Sequence, residues 1–186
     1  MTRTALVRTD RYSWGAIWLH WAIAVLVIAN LALGLLHESL LEDIKAVIPA
    51  HQAIGITVLA LGIARIGWRL TRRPPPLPPG IARWEHVAAK AAHAAFYALL
   101  VGLPLSGWML SSDPERLRPL TWFGLSSIPY LPVPTAAAQV AGDVHRLLGW
   151  LMAALVVMHV AAVMRHHLVL RDAVLARMAP GLARNG

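Results

Sequence analysis

Cysteine is absent from the 186 residues, which excludes disulfides, thiolate metal sites, Cys-ligated iron–sulfur clusters and covalent haem attachment through a Cys-x-x-Cys-His motif. Charge is scarce as well. Asp, Glu, Lys and Arg make up 14% of the chain against 58% hydrophobic residues, and the mean hydropathy of +0.57 excludes a soluble catalytic domain and describes an integral membrane protein. Phenylalanine and tyrosine number two and three, so the aromatic character lies in eight tryptophans. Trp14, Trp18, Trp68, Trp84, Trp108 and Trp150 fall near the ends of apolar runs, where aromatic belts form at the membrane–water interface.

Four windows are long and apolar enough to span a bilayer: 17–36, 51–70, 86–110 and 145–164. A spanning segment must satisfy its backbone hydrogen bonds internally, so the reading is all-α, a membrane four-helix bundle formed by residues 1–186 as one unit. The first window is too long for a signal peptide, and no small-residue cleavage site follows Leu36.

The net charge of +8 is explained by its distribution. Of seventeen basic residues, thirteen fall on one side: Arg3, Arg8, Arg11, Arg65, Arg69, Arg72, Arg73, Arg83, Lys90, Arg165, Arg171, Arg177 and Arg184. Lys45, Arg116, Arg118 and Arg146 fall on the other. The positive-inside rule then places both termini and the second connection in the cytoplasm, and no nucleic-acid partner is needed. Arg72 to Gly80 holds five prolines and reads as a stiff, non-helical turn. The third connection, 111–143, carries Trp122, Phe123, Tyr130 and five prolines and reads as a segment lying on the outer membrane surface.

Depth assigns the histidines. His145 and His159 lie fourteen residues apart in one span, a separation that returns to within about 40° of one face and climbs about 21 Å. His20 lies near the cytoplasmic start of the first span and His51 at the outer start of the second. The depths therefore pair His20 with His159 inside and His51 with His145 outside. Ionisable groups in a bilayer are costly and face the bundle interior, and two facing imidazoles can ligate an iron porphyrin with no position left open for oxygen. That chemistry is electron transfer.

Other residues share these faces. Arg65, fourteen after His51, reaches either carboxylates of an inner haem or the cytoplasmic interface. Gly34, fourteen after His20, offers room for an outer haem; Gly55, Gly62 and Gly149 line similar stripes and serve either cofactor clearance or helix contact. His93 is placed to touch a quinone, a haem propionate or a structural hydrogen-bond partner. Trp21 can pack on a haem edge.

These residues in this order resemble the bacterial cytochrome b561 family, grouped with the cytochrome b subunits of nickel–iron hydrogenases. The resemblance rests on His20-Trp21, on His51 with Gly55 and Arg65, and on His93 with Tyr97, Leu103-Pro104 and Gly107. It continues through Phe123-Gly124-Leu125, Ile128-Pro129, and His145 with His159. It implies an inner-membrane cytochrome with two haem b groups, their iron ligands being His20, His51, His145 and His159. It also implies ubiquinone as electron acceptor and, by likeness to stand-alone members, superoxide as a donor from the outer side. Arg116, Arg118 and Arg146 would concentrate that anion. The alternative is a membrane-anchor subunit that takes electrons from a soluble redox protein of a hydrogenase or dehydrogenase complex. A histidine-based ion or metal transporter, the third reading, would hold no haem.

Overall fold

The computed structural model describes residues 12–37, 39–72, 75, 82–179 and 181. Among them, four long helices carry the chain: α1 (Trp14–Leu36), α2 (Val47–Thr71), α3 (Arg83–Ser111) and α4 (Thr135–Met164). Each is long and apolar enough to cross a membrane, in keeping with the all-α bundle read from the sequence. Between α3 and α4, β1 (Thr121–Trp122) pairs antiparallel with β2 (Ser126–Ser127) in a short hairpin. Past Met164 the backbone widens into a π-helical segment, Arg165–Leu170, which ends on Arg171 in the left-handed region at φ 55°. The α1–α2 and α3–α4 connections share one end of the bundle, called here the loop end. The end of α2, the start of α3 and the outer limits of α1 and α4 share the other, the terminal end.

Local chemistry sets the helix limits. Ser13 caps α1 by accepting the Ala16 N–H at its hydroxyl, and α3 begins where Glu85 reaches back to the Ala82 N–H. Glu85 also pairs with Arg165 at 2.7 Å, which ties the start of α3 to the end of α4. α2 stops at Thr71, and Arg72 is already extended. The stiff turn expected from Arg72 to Gly80 lies, except for Arg72 and Pro75, outside the described residues, as do Arg3, Arg8, Arg11 and Arg184.

The largest departure from the sequence reading is α4, which starts ten residues before the expected 145. Gln139, Gly142 and Asp143 dilute the apolar signal there. Ala136–Ala138, behind the extended cap Pro134, nonetheless favour helix. The third connection is shorter by the same amount, and His145 sits almost three turns inside its helix. α1, α2 and α3 each begin three or four residues before their expected windows because Trp14, Val47 and Arg83 open the helices ahead of the strictly apolar stretch.

α2 packs between α1 and α3, α3 packs on α4, and α1 meets α4 only sparsely. The bundle centre is a cluster of Ile23, Val27, Val58, Leu100 and Met152. Val25, Ile28, Ile63, Leu147 and Val157 point outward and are exposed. Lipid accepts them, since burying them between helices would gain no hydrophobic free energy in a bilayer. Close approach comes instead from small residues. A Cβ on Gly62 would meet Leu100 Cβ at 3.4 Å and its carbonyl oxygen at 3.6 Å, so α2 and α3 are in backbone-level contact there. Gly62→Ala is therefore tolerated, whereas Gly62→Leu separates the helices. The second substitution is expected to cost about 1–3 kcal/mol of overpacking, read as a lowered unfolding temperature in detergent with the alanine variant near the parent.

Candidate functional site

The helices bring polar and aromatic side chains into two groups at different heights. At the loop end, His51 of α2 and His145 of α4 face each other with ring centroids 5.9 Å apart and planes 88° apart. Toward the terminal end, His20 of α1 and His159 of α4 stand 6.4 Å apart at 73°. His145 and His159 are separated by about 21 Å of helix rise, and the apolar cluster around Val58, Leu100 and Met152 fills the level between them.

The loop-end rings are held by backbone. His51 Nδ1 lies 3.1 Å from the Asn30 carbonyl oxygen, and His145 Nδ1 lies 3.0 Å from the Leu103 carbonyl oxygen. A carbonyl can only accept, so each Nδ1 carries the proton and each Nε2 keeps its lone pair. The Ser106 hydroxyl donates to the same Leu103 oxygen at 2.8 Å and lies 3.2 Å from His145 Nδ1. Glycines bring the neighbouring helices against the rings. A Cβ at Gly34 would stand 2.9 Å from His51 Cε1, and one at Gly107 would stand 2.8 Å from His145 Cε1. Gly34 thus makes room for the imidazole of His51. Asn30 Oδ1 is buried without a hydrogen-bond partner among the described residues.

The terminal-end group is held by other rings. Trp21 lies 5.4 Å from His20, and Phe96 lies 5.3 Å from His159. His93, ten residues into α3, comes within 6.3 Å of His159, so three imidazoles share this level. Arg65 Nη1 donates to the Ala16 carbonyl oxygen at 3.0 Å, one turn before His20, and so anchors α2 to the turn that carries that ring. The Trp21 indole donates to the Met178 carbonyl oxygen at 2.8 Å, which draws the chain beyond α4 back across the terminal end. At the other end of the bundle Arg146 is paired with Asp143 at 2.5 Å, both well exposed. This pairing offsets part of the positive field expected there. Arg116 and Arg118 lie in the α3–α4 connection, whereas Arg146 lies inside α4.

Metal–imidazole bonds of about 2.0–2.1 Å put the centres of two imidazoles on opposite sides of one metal about 6 Å apart. Both histidine pairs have that spacing, both are partly buried among apolar helices, and the loop-end pair already has the carbonyl partners that orient ligating imidazoles. The residues fit bis-histidine haem ligation. Sequence reasoning missed the carbonyls of Asn30 and Leu103, together with Ser106 and Phe96. A readable signal existed in Gly34 and Gly107, which lie at the heights where a facing ring needs space.

Fold and site together define a membrane four-helix bundle with stacked histidine pairs. The description "prokaryotic cytochrome b561" matches residues 11–181, and the chain belongs to that family, whose members are electron-transfer membrane cytochromes carrying b-type haem. It is 32% identical over 173 residues to cytochrome b561 homolog 2 of Escherichia coli strain K12, covering 91% of each chain. It is 28% identical over 178 residues to the "probable superoxide oxidase CybB" of Yersinia pestis, covering 91% of this chain and 96% of the relative. Cytochrome b561 homolog 1 of the same E. coli strain is 24% identical over 174 residues, with 92% and 98% covered.

The close approach of Gly107 to His145 gives a direct test. Gly107→Ala must displace the ring or the helix and is expected to lower the haem retained on purification. Gly67→Ala, whose added methyl meets nothing within 4 Å, leaves it unchanged. Pyridine haemochrome quantitation per chain distinguishes the two.

Proposed function

We propose that the chain is a di-haem cytochrome of the bacterial inner membrane, with both termini cytoplasmic, that carries electrons from superoxide on the outer side to the quinone pool, ubiquinone being the expected acceptor. His51 and His145 hold one haem and His20 and His159 the other, within one functional unit formed by residues 1–186. The observation that carries this reading is the pair of centroid separations, 5.9 and 6.4 Å, at two heights on one helix. Likeness to a relative named as a superoxide oxidase supports the donor. The excess of basic residues at the terminal end supports the orientation.

Haem held by these four histidines would supply a one-electron carrier. The chain's own groups do the rest. The Asn30 and Leu103 carbonyls fix the loop-end imidazoles as Nδ1–H tautomers and raise their basicity as ligands, which favours the oxidised metal. Arg65, anchored one turn from His20, places a permanent cation beside the terminal-end pair and favours the reduced state there. Both effects incline electron flow from the loop end to the terminal end. Two superoxide anions lose one electron each to become dioxygen. Those two electrons with two protons from water convert one quinone to quinol.

Three outcomes test this. Reduced-minus-oxidised spectra with haem quantitation on detergent-purified protein should give two low-spin b haems per chain, and His145→Ala and His159→Ala should each remove one. Redox titration should resolve two steps, and Arg65→Gln should lower the higher midpoint while leaving the lower one in place. Stopped-flow addition of superoxide should reduce the haem rapidly. Full haem loading without reduction by superoxide would turn the assignment toward an anchor subunit served by a protein donor, and absence of haem would overturn it altogether.

A further inference from the structure

The hairpin between α3 and α4 sits lower on the bundle than a surface connection would. The Trp122 indole donates to Thr57 Oγ1 at 3.0 Å, and Thr57 lies ten residues inside α2, about 15 Å of rise from the loop end of that helix. α2 has 25 residues, about 37 Å, so it overhangs a hydrocarbon core of about 30 Å by about 4 Å at each end. Thr57 then lies about 11 Å below the core boundary. Allowing for the reach of the indole, the hairpin backbone still falls inside that boundary.

The flank of α2 that it occupies is the one turned away from the haem side. Thr57 and Ala53 lie about 120° and 160° around the helix from His51. At those angles a spanning helix would ordinarily face lipid. Ala53 is nevertheless 0% exposed, and β1 packs on α2 with Trp122 bonded to Thr57 on that flank. The chemistry of the segment suits a lipid environment. From Pro119 to Pro134 it carries no charged residue, and at the turn Phe123 and Leu125 are 52% and 77% exposed. The charged residues Glu115, Arg116 and Arg118 all come before it.

Backbone polar groups are tolerated at membrane depth only when they are satisfied or buried in protein, and here many are. β1 and β2 pair with each other. The Leu125 N–H donates to the Trp122 carbonyl oxygen across a tight turn, and the Ile128 N–H donates to that of Leu120. The Tyr130 hydroxyl donates to the Arg118 carbonyl oxygen at 2.7 Å, the Leu131 N–H to Ser112 Oγ at 3.0 Å, and the Trp108 indole to the Pro129 carbonyl oxygen at 2.9 Å. The turn holds Phe123 at φ 49° and Gly124 at φ 74°, the two consecutive positive values of a type I′ turn. A bulky residue in that region is strained, and the bond from the Leu125 N–H that closes the turn holds the aromatic ring at the tip against that cost.

We propose that the hairpin Thr121–Ser127 is immersed in the membrane leaflet at the loop end, seated on the outer flank of α2, with Phe123 and Leu125 in contact with acyl chains. Its partner is the lipid itself. The hairpin replaces lipid along the helix that carries His51 and so braces that helix from behind.

The native chain has no cysteine, so single thiols can be placed without further changes. Leu125→Cys and Ser126→Cys probe the immersed segment, and Leu117→Cys, between Arg116 and Arg118, probes the polar part of the connection. The haem-loaded full chain in liposomes is treated with a charged, membrane-impermeant maleimide. Apolar surroundings raise a thiol's pKa, and each unit removes about tenfold of the reactive thiolate, so positions 125 and 126 should label at least about tenfold more slowly than 117. Bimane placed at 125 through a membrane-permeant reagent should then be quenched by doxyl-labelled lipid. Trp122→Phe, which removes the bond to Thr57, should raise the labelling rate at 125. Labelling at 125 and 126 as fast as at 117 overturns the proposal. Slow labelling without quenching by doxyl lipid also overturns it, because the tip would then be covered by protein.

Discussion

An imidazole inside a bilayer has two ring nitrogens and no water to serve them, and much of this bundle answers that constraint. At the loop end each ring gives its Nδ1 proton to a backbone carbonyl of a facing helix, that of Asn30 in α1 or Leu103 in α3. An unsatisfied polar group in a low-dielectric interior costs several kcal/mol, so these two bonds also hold α1 to α2 and α3 to α4 at a defined height. Ser106 adds a second donor to the Leu103 oxygen. That carbonyl belongs to the residue preceding Pro104, which lies inside α3, where the ring prevents a regular hydrogen-bond ladder. The N–H that Pro104 lacks would have served the Leu100 carbonyl, four residues earlier, so the two side-chain donors on the Leu103 oxygen follow from the placing of Ser106 and His145 themselves.

The glycines follow from the same requirement. A carbonyl reaches an imidazole on the next helix only if the two backbones come close. Gly34 and Gly107 stand where any β-carbon would strike the rings of His51 and His145. Small residues are the usual means of close approach between membrane helices. Here the object approached is a side chain, and Gly62 against Leu100 is the more ordinary helix-to-helix case.

Much of this was legible in the sequence. Mean hydropathy and the four apolar windows gave the bundle, because hydropathy reports directly on the lipid solvent. The spacing of His145 and His159 gave their shared face, because helix periodicity does not depend on tertiary context. The start of α4 was hidden, since Gln139, Gly142 and Asp143 are compatible with helix but not with an apolar window. The hairpin was hidden because its strands have two residues each and take their place from one indole bond to Thr57. The ring of His51 opposite Gly34 was hidden, since spacing along α1 cannot say what stands opposite. Likewise nothing local to Trp21 announces that the carbonyl of Met178, 157 residues later, will meet its indole.

The two histidine levels are built from different materials, and α4 shows why. It supplies one ring to each level, and fourteen residues leave those rings about 40° out of phase, so no single rotation of a straight α4 points both rings identically at one partner helix. The bundle resolves this by drawing the opposing rings from different helices, His51 from α2 and His20 from α1. α2 is held on both sides by close neighbours, and at its level backbone carbonyls reach the rings. α1 and α4 touch only sparsely, and among the described residues no backbone carbonyl of a neighbouring helix bonds His20 or His159. Bulky rings occupy the level instead: Trp21 beside His20, Phe96 and His93 beside His159, with Arg65 supplying the cross-link from α2. One end of the bundle therefore fixes its imidazoles by hydrogen bonds and the other by packing. The phase of a single helix is enough to produce that difference.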